Sequence, residues 1–371
     1  MHTLLIVLTR LKIITKFAMA VCLLIITSDA FSWDAAERLI IDHRCTKLSE
    51  IPQTAIEEAK SVLHIAYGHT SHGSQIYKGM EGLIDFKGYL YSFNDGGVGD
   101  ALDLRSGLYD DGVLDGAHDL GNPSRTAWAE ATRNYLDYYP EINVIMWSWC
   151  GQASTSESNI ELYLNLMHNL EQEYPDVQFI YMTGHLNGGG LLGTLHRRNE
   201  QIRNYCIDNN KILYDFADIE TWDPDGNYFG DKIPDDDCSY DSDGNGTRDA
   251  NWAIEWQTSH IEGVDWYQCS SAHSQPLNAN QKAYAAWWLW ARLAGWGGPP
   301  DTDSVVMGDI SGDDKVTALD AALAARYAIR LINLSESQII KADVDKNGRV
   351  TAYDAALIAR YAVGIITSFL Y

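Results

Sequence analysis

The feature that most limits what this chain can become is a repeat near its end. Asp309-Ile310-Ser311-Gly312-Asp313 returns 34 residues later as Asp343-Val344-Asp345-Lys346-Asn347. The echo continues with Asp320-Ala321-Ala322-Leu323 against Asp354-Ala355-Ala356-Leu357, then Ala325-Arg326-Tyr327-Ala328 against Ala359-Arg360-Tyr361-Ala362. A hard dication is held by oxygens at alternate positions of a tight loop, closed by a carboxylate at position 12 that opens a helix. Positions 1, 3, 5 and 12 are Asp309, Ser311, Asp313 and Asp320 in the first loop, and Asp343, Asp345, Asn347 and Asp354 in the second. Lys315 and Arg349 stand at position 7, where the backbone carbonyl is the ligand. One Ca2+ is expected in each loop.

Residues 306–371 resemble a type I dockerin, a small all-α module with paired calcium loops. The resemblance implies a cohesin domain of a scaffold protein as partner. It places Ala318-Leu319 and Ala352-Tyr353 at the cohesin-contacting positions 10 and 11, and the likeness of the two halves implies binding in two orientations. Ahead of this module, 297–305 (GGPPDTDSV) is turn-rich and helix-breaking, as a linker is.

At the other end, Arg10, Lys12 and Lys16 precede an apolar run from Phe17 to Ile26 and the small-residue stretch Ala30-Phe31-Ser32. That order reads as a secretory signal over residues 1–32. The run is far below the ~20 residues that span a bilayer, so no retained membrane span is expected. The expected location is extracellular, with cohesin as the route to a cell surface. Charge agrees with such partners: 27 Lys+Arg face 51 Asp+Glu, a formal −24 that repels phosphate backbones and excludes nucleic acid as a natural ligand. Divalent cations and neutral substrates fit. Beyond the signal stand Cys45, Cys150, Cys206, Cys238 and Cys269, of which Cys238 and Cys269 are the expected disulfide.

Residues 33–296 alternate short β-rich runs with amphipathic stretches. Val62 to Tyr67, Asn143 to Trp149, Val177 to Thr183 and Lys211 to Tyr214 are the expected strands. Ser124 to Tyr139, Ser158 to Tyr174, Leu191 to Asn209 and Asn278 to Leu293 are the expected helices. Such alternation means an α/β fold with a doubly wound, largely parallel sheet, whose ligands sit at the carboxyl ends of the strands. Polar residues after each strand are therefore the candidates.

The first strand runs into Gly68-His69-Thr70-Ser71-His72-Gly73, a turn that exposes a hydroxyl at a helix start. His273 precedes the last helix, within reach of the strand ends. A serine after the first strand, Trp147-Ser148-Trp149-Cys150-Gly151-Gln152 after a central one, and this histidine together resemble the SGNH (GDSL-like) hydrolases, whose sheet is flavodoxin-like. The resemblance implies Ser71 as nucleophile, His273 as its base and Gln152 as an oxyanion amide, with Gly121 or Gly97 as the oxyanion glycine. Ser270 stands where the family often has Asp, and Asp265 is the remaining carboxylate proposed for the triad. His185 follows a strand and lines the expected cleft, and His69, His72 and His185 are an alternative transition-metal set. Between Asp215 and Asp249 twelve acids face only Lys232 and Arg248, and Asp241, Asp243 and Asn245 have the alternating oxygens of a third calcium loop.

The expectation is thus a secreted serine esterase acting on decorated polysaccharide and tethered through its dockerin to cohesin. A non-catalytic carbohydrate-binding protein and a metal-dependent hydrolase using clustered histidines are the alternatives.

Overall fold

A computed structural model describes residues 39–106, 116–299, 307–312 and 315–369. The expected signal, residues 300–305 of the linker, and Asp313 lie outside the described residues. The chain divides into two compact units after Trp296.

In the first unit seven strands form one sheet: β1 (Leu39–Ile41), β2 (His64–Gly68), β3 (Phe93–Asn94), β4 (Leu102–Ser106), β5 (Val144–Trp147), β6 (Gln178–Met182) and β7 (Ile212–Tyr214). Their order is β1-β7-β6-β5-β2-β4-β3, with every neighbouring pair parallel. β5 is buried at all four residues and β6 at four of five, which is why both read as continuous apolar runs rather than alternating ones. Without the edge strands β1 and β3, the five central strands run 2-1-3-4-5 by chain order, the flavodoxin-like doubly wound arrangement. β4 escaped the sequence pattern because it carries Asp103 and Arg105, which form an ion pair at 3.0 Å.

Helices α1 (Gln53–Val62), α2 (Ser74–Lys87) and α8 (Pro276–Leu293) pack together as one layer. α3 (Ala127–Tyr138), α4 (Glu157–Glu173) and α5 (Thr194–Asp208) form the other. α8 opens on Pro276, whose missing N–H costs nothing at the first helical position, and buries Trp287 and Trp290 in the core. Between β7 and α8 lies an insertion with α6 (Phe216–Ile219), the antiparallel pair β8 (Ser239–Tyr240) and β9 (Ala250–Asn251), and α7 (Trp252–Ser259). It has its own small core of Phe229, Cys238, Tyr240, Trp252, Trp256 and Trp266.

The second unit contains α9 (Ala318–Ala328), α10 (Glu336–Ala342) and α11 (Ala352–Ala362). Its core is built from equivalent residues of the two repeats: Ile310 with Val344, Ala321 with Ala355, Ala324 with Ile358. Position 4 of each loop takes a left-handed backbone, at Gly312 (φ 78°) and Lys346 (φ 54°).

Among the described residues no helix is long and apolar enough to cross a membrane. The expected Cys238–Cys269 disulfide is absent, and the five cysteines among the described residues are free thiols. Cys238 Sγ lies 3.6 Å from Ser274 Oγ, while Cys269 Sγ meets Asn280 Nδ2 at 3.4 Å, so the two thiols face different neighbours.

Candidate functional site

β2 ends at Gly68, and the chain turns through residues 69–73 into α2. That turn is pressed against the segment leaving β5. A Cβ on Gly73 would lie 2.1 Å from Ser148 Oγ, so only glycine fits there, and the Ser148 N–H donates to the Gly68 carbonyl at 2.9 Å. Between β2 and β5 the winding of the sheet reverses, which makes this the crevice where doubly wound folds place ligands.

His72 occupies the centre of the crevice. Its Nε2 lies 2.7 Å from Asp236 Oδ2 and its Nδ1 lies 3.4 Å from Cys150 Sγ. The rings of His185 and His273 stack on it, with centroids 3.5 and 4.6 Å away. Five loops thus meet: those after β2, β5 and β6, the insertion, and the entry to α8.

Environment separates these groups. Burial opposes charge on His72, but the hydrogen bonds to Asp236 and Cys150 outweigh it and push the imidazole up to about 9. The hydrogen bond with His72 draws the Cys150 thiol below its ordinary value despite burial. Burial raises the Asp236 carboxyl, yet His72 and His185 more than reverse this and hold it below the usual carboxylate range. His185 goes the other way, lowered chiefly by burial. An imidazole pushed toward its charged form therefore stands between a carboxylate and a sulfur whose own proton is held less tightly than usual.

Behind the site lies a buried charged group. Lys282 and Glu220, both fully inaccessible, pair at 2.6 Å, and Lys282 Nζ also donates to Gln75 Oε1. Glu220 Oε2 accepts the Leu186 N–H at 2.7 Å, and Gln75 Nε2 donates to the Ala272 carbonyl at 2.6 Å. One lysine thereby ties the loop of His185 to the loop of His273.

The residues expected from sequence fare unequally. Ser71 is half-buried; its hydroxyl makes no hydrogen bond among the described residues, and none joins it to His273. His273 is exposed, with a left-handed backbone (φ 61°), against His72. Gln152 does not present a free oxyanion amide: its Nε2 donates to Asp119 at 3.2 Å and its Oε1 accepts the Cys150 N–H at 3.1 Å. The Gly121 N–H is likewise taken by Asp119, at 2.9 Å. Gly97 belongs to the turn between β3 and β4, its N–H on the Asn94 carbonyl at 3.4 Å. Asp265 closes its own turn on the Ile261 N–H at 2.9 Å.

His69 leaves the metal set proposed for it. Its Nε2 lies 2.8 Å from Ser106 Oγ, its ring packs on Tyr67, and burial brings its pKa down to about 4. His72, Asp236 and His273 do offer atoms within 4.8 Å of one another. An ion on imidazole lies in the plane of the ring, however, about 2.0–2.1 Å from nitrogen. The rings of His72 and His185 are within 2° of parallel and those of His72 and His273 within 15°, so their planes share no such point. The arrangement is a hydrogen-bonded chain rather than a ligand set. Cys150 and Asp236 escaped sequence reasoning. Cys150 carried one signal, its place directly after a buried strand, whereas Asp236 is the middle of three successive aspartates.

In the second unit Asp309, Asp320 and Asp354 are completely buried. Asp320 accepts the N–H groups of Ser311 and Thr317, and Asp354 those of Asp345 and Thr351. Asp343, Asp345 and Asp354 bring carboxylate oxygens within 4.8 Å of one another. Buried carboxylates so gathered demand a cation, and the residues present fit calcium. Leu319 and Tyr353, at the expected contact positions, are 57% and 61% exposed.

Residues 307–362 match the family described as Dockerin type I domain. That segment is a type I dockerin, a calcium-binding module that attaches its protein to a cohesin-bearing scaffold. No significant match to the chain is found among curated proteins or solved structures.

Proposed function

We propose that the α/β unit is a secreted hydrolase of ester bonds on decorated polysaccharide, held outside the cell on a scaffold by its dockerin. The observation that carries the hydrolase reading is the Asp236–His72 pair in the crevice between β2 and β5. An imidazole oriented by a carboxylate moves a proton from a nucleophile to a leaving group. Two side chains there attack acyl carbon by nature, Ser71 and Cys150. The serine form pairs Ser71 with His273, as the resemblance to SGNH hydrolases implies; the other form centres on His72.

The polysaccharide assignment rests on the dockerin and on a neighbouring cavity of about 310 Å³. Leu186 and Pro234, close in sequence to His185 and Asp236, line it beside Asn187, Thr221 and Tyr228, a set that suits sugar hydroxyls. The same proposal gives the loop around Asp241, Asp243 and Asn245 a third calcium. Asp241 accepts the N–H groups of Asn245 and Gly246 as Asp343 accepts those of Asn347 and Gly348.

The test is release of acetate from an acetylated polysaccharide by the full calcium-loaded chain, with His72→Ala as the inactive control. Polysaccharide binding without turnover of any ester would replace the hydrolase by a non-catalytic carbohydrate-binding protein.

A further inference from the structure

We infer that Cys150 is the nucleophile of the crevice, activated by His72 and Asp236, and that Ser71 is not. The inference rests on the ester-hydrolase reading for its substrate, but its geometry stands alone. A side chain is made nucleophilic by a base within hydrogen-bond reach that is itself oriented by a third group. Cys150 Sγ, His72 Nδ1, His72 Nε2 and Asp236 Oδ2 form that chain, with links of 3.4 and 2.7 Å across residues 78 and 164 apart in sequence. Ser71 has no comparable link. Cys150 is partly accessible, as attack requires, whereas Cys45, Cys206 and Cys238 are buried. Its position just beyond β5 puts it at the winding reversal of the sheet.

The surrounding charges favour an ion pair. His72 faces Cys150 directly, while Asp236 and Glu220 support the imidazolium from the insertion and from the end of α6. Neutral His185 and exposed His273 stack on the same ring. The Asp119 carboxylate acts against the thiolate.

The chemistry balances with water as the only co-reactant. The Cys150 thiolate adds to the acyl carbon, and the tetrahedral intermediate collapses with cleavage of the C–O bond. The departing alkoxide takes the proton of the His72 imidazolium and leaves as the alcohol, with the acyl group on sulfur as a thioester. Water then attacks the thioester and gives a proton to His72; the C–S bond breaks, releasing the acid and restoring the thiolate–imidazolium pair.

The experiment uses the full calcium-loaded chain with iodoacetamide, reading alkylation of Cys150 by peptide mass across pH 5.5 to 9. An ordinary thiol, with a pKa near 8.5, is only about 0.3% thiolate at pH 6 and slows several hundredfold between pH 9 and pH 6. Cys150, drawn below its ordinary value by His72, is expected to slow by a clearly smaller factor over that range. Asp236→Asn is expected to restore the steep profile, with its melting temperature confirming a folded protein. A free-thiol profile in the unmodified chain overturns the inference. So does one equivalent of zinc that blocks alkylation until a chelator is added. A second arm quenches turnover of a chromogenic acetate ester in acid and locates the acetyl group. Acetyl on Cys150 supports the inference, and acetyl on Ser71 overturns it while the hydrolase reading survives. If no ester is turned over yet Cys150 reacts at low pH, the hydrolase reading fails and the activated thiol stands.

Discussion

The two units of this chain build their chemistry in opposite ways. In the dockerin each expected calcium loop draws its candidate ligands from twelve consecutive residues, and the closing carboxylates Asp320 and Asp354 accept N–H groups nine residues or fewer away. In the α/β unit the bonds that define the crevice span 78 and 164 residues. A local site can be specified by spacing alone and needs only an ion to complete it. A distributed site exists only when the sheet has already placed five loops together. The first is therefore expected to depend on an ion for its fold, and the second on the fold for its site.

The largest effect should come from removing calcium. The dockerin core consists of a few small residues around Ile310, Val344 and Ile358, too little to offset the burial of the Asp320 and Asp354 carboxylates, and of Asp309 beside Lys341 at 3.5 Å, once the ion is gone. Chelation is expected to abolish the melting transition of that unit while the α/β unit keeps its own. Two calorimetric transitions that both survive chelator would break the contrast. In the α/β unit the corresponding blow is Asp236→Asn, which removes the partner that keeps His72 charged. Ester turnover should fall about 10²- to 10⁴-fold with little change in melting temperature. A fall below tenfold would mean that the Asp236–His72 pair is structural.

Next in size is a change at the buried Lys282–Glu220 pair. Lys282→Met leaves the buried Glu220 without its ion-pair partner and with only the Leu186 N–H among the described residues, and losing one member of a buried pair costs about 3–5 kcal/mol. Denaturant unfolding of the variant measures this. Because Glu220 and Gln75 hold the loops of His185 and His273, turnover should fall under conditions where the variant is still fully folded. The dockerin transition should not move.

These cases show why legibility differed so sharply. The calcium repeat was readable because Asp309 and Asp343 announce identical local geometry, and the central strands were readable because burial on both faces makes them apolar runs. Lys282 looked like one polar residue on a helix of Ala and Trp, and its burial follows from what α2 and α6 bring to it. His72 was seen, but grouped with His69, one turn of chain away and facing Ser106 instead. Nothing in the order of residues says on which side of a strand-end turn a histidine falls. Gln152 and Gly121 were near the right place, yet both spend their donors on Asp119, a partner that spacing does not reveal.

A pH effect of intermediate size follows from His72. Its folded pKa, about 9, lies above the ordinary value near 6.5, so it contributes stability fully present below about pH 6.5 and lost as pH rises through 9. The melting temperature of the α/β unit should decline across that interval, and Asp236→Asn should flatten the decline. Residues 307–369 contain no histidine or cysteine, so the calcium-saturated dockerin should hold its transition over the same range. A parallel decline in both units would assign the effect to general surface charge.

The smallest test compares helix starts. α9, α10 and α11 each begin with a reciprocal capping box, from Thr317, Ser335 and Thr351. α2, α3, α5 and α8 have no side-chain cap and rely on packing against the sheet. In the dockerin the Thr351 hydroxyl also donates to Asp354 at 2.9 Å, so the cap and the closing calcium ligand share a carboxylate. Thr351→Ala should therefore cost about 1 kcal/mol of dockerin stability in saturating calcium and weaken calcium binding as well. Thr317→Ala should do the same, because Thr317 and Asp320 repeat that contact at 2.8 Å. Thr126→Ala, at the uncapped and exposed start of α3, should stay within about 0.5 kcal/mol. Equal losses at Thr126 and Thr351 would show that local capping matters as much in the large core as in the small one, and the division drawn between the two units would then rest on their sites alone.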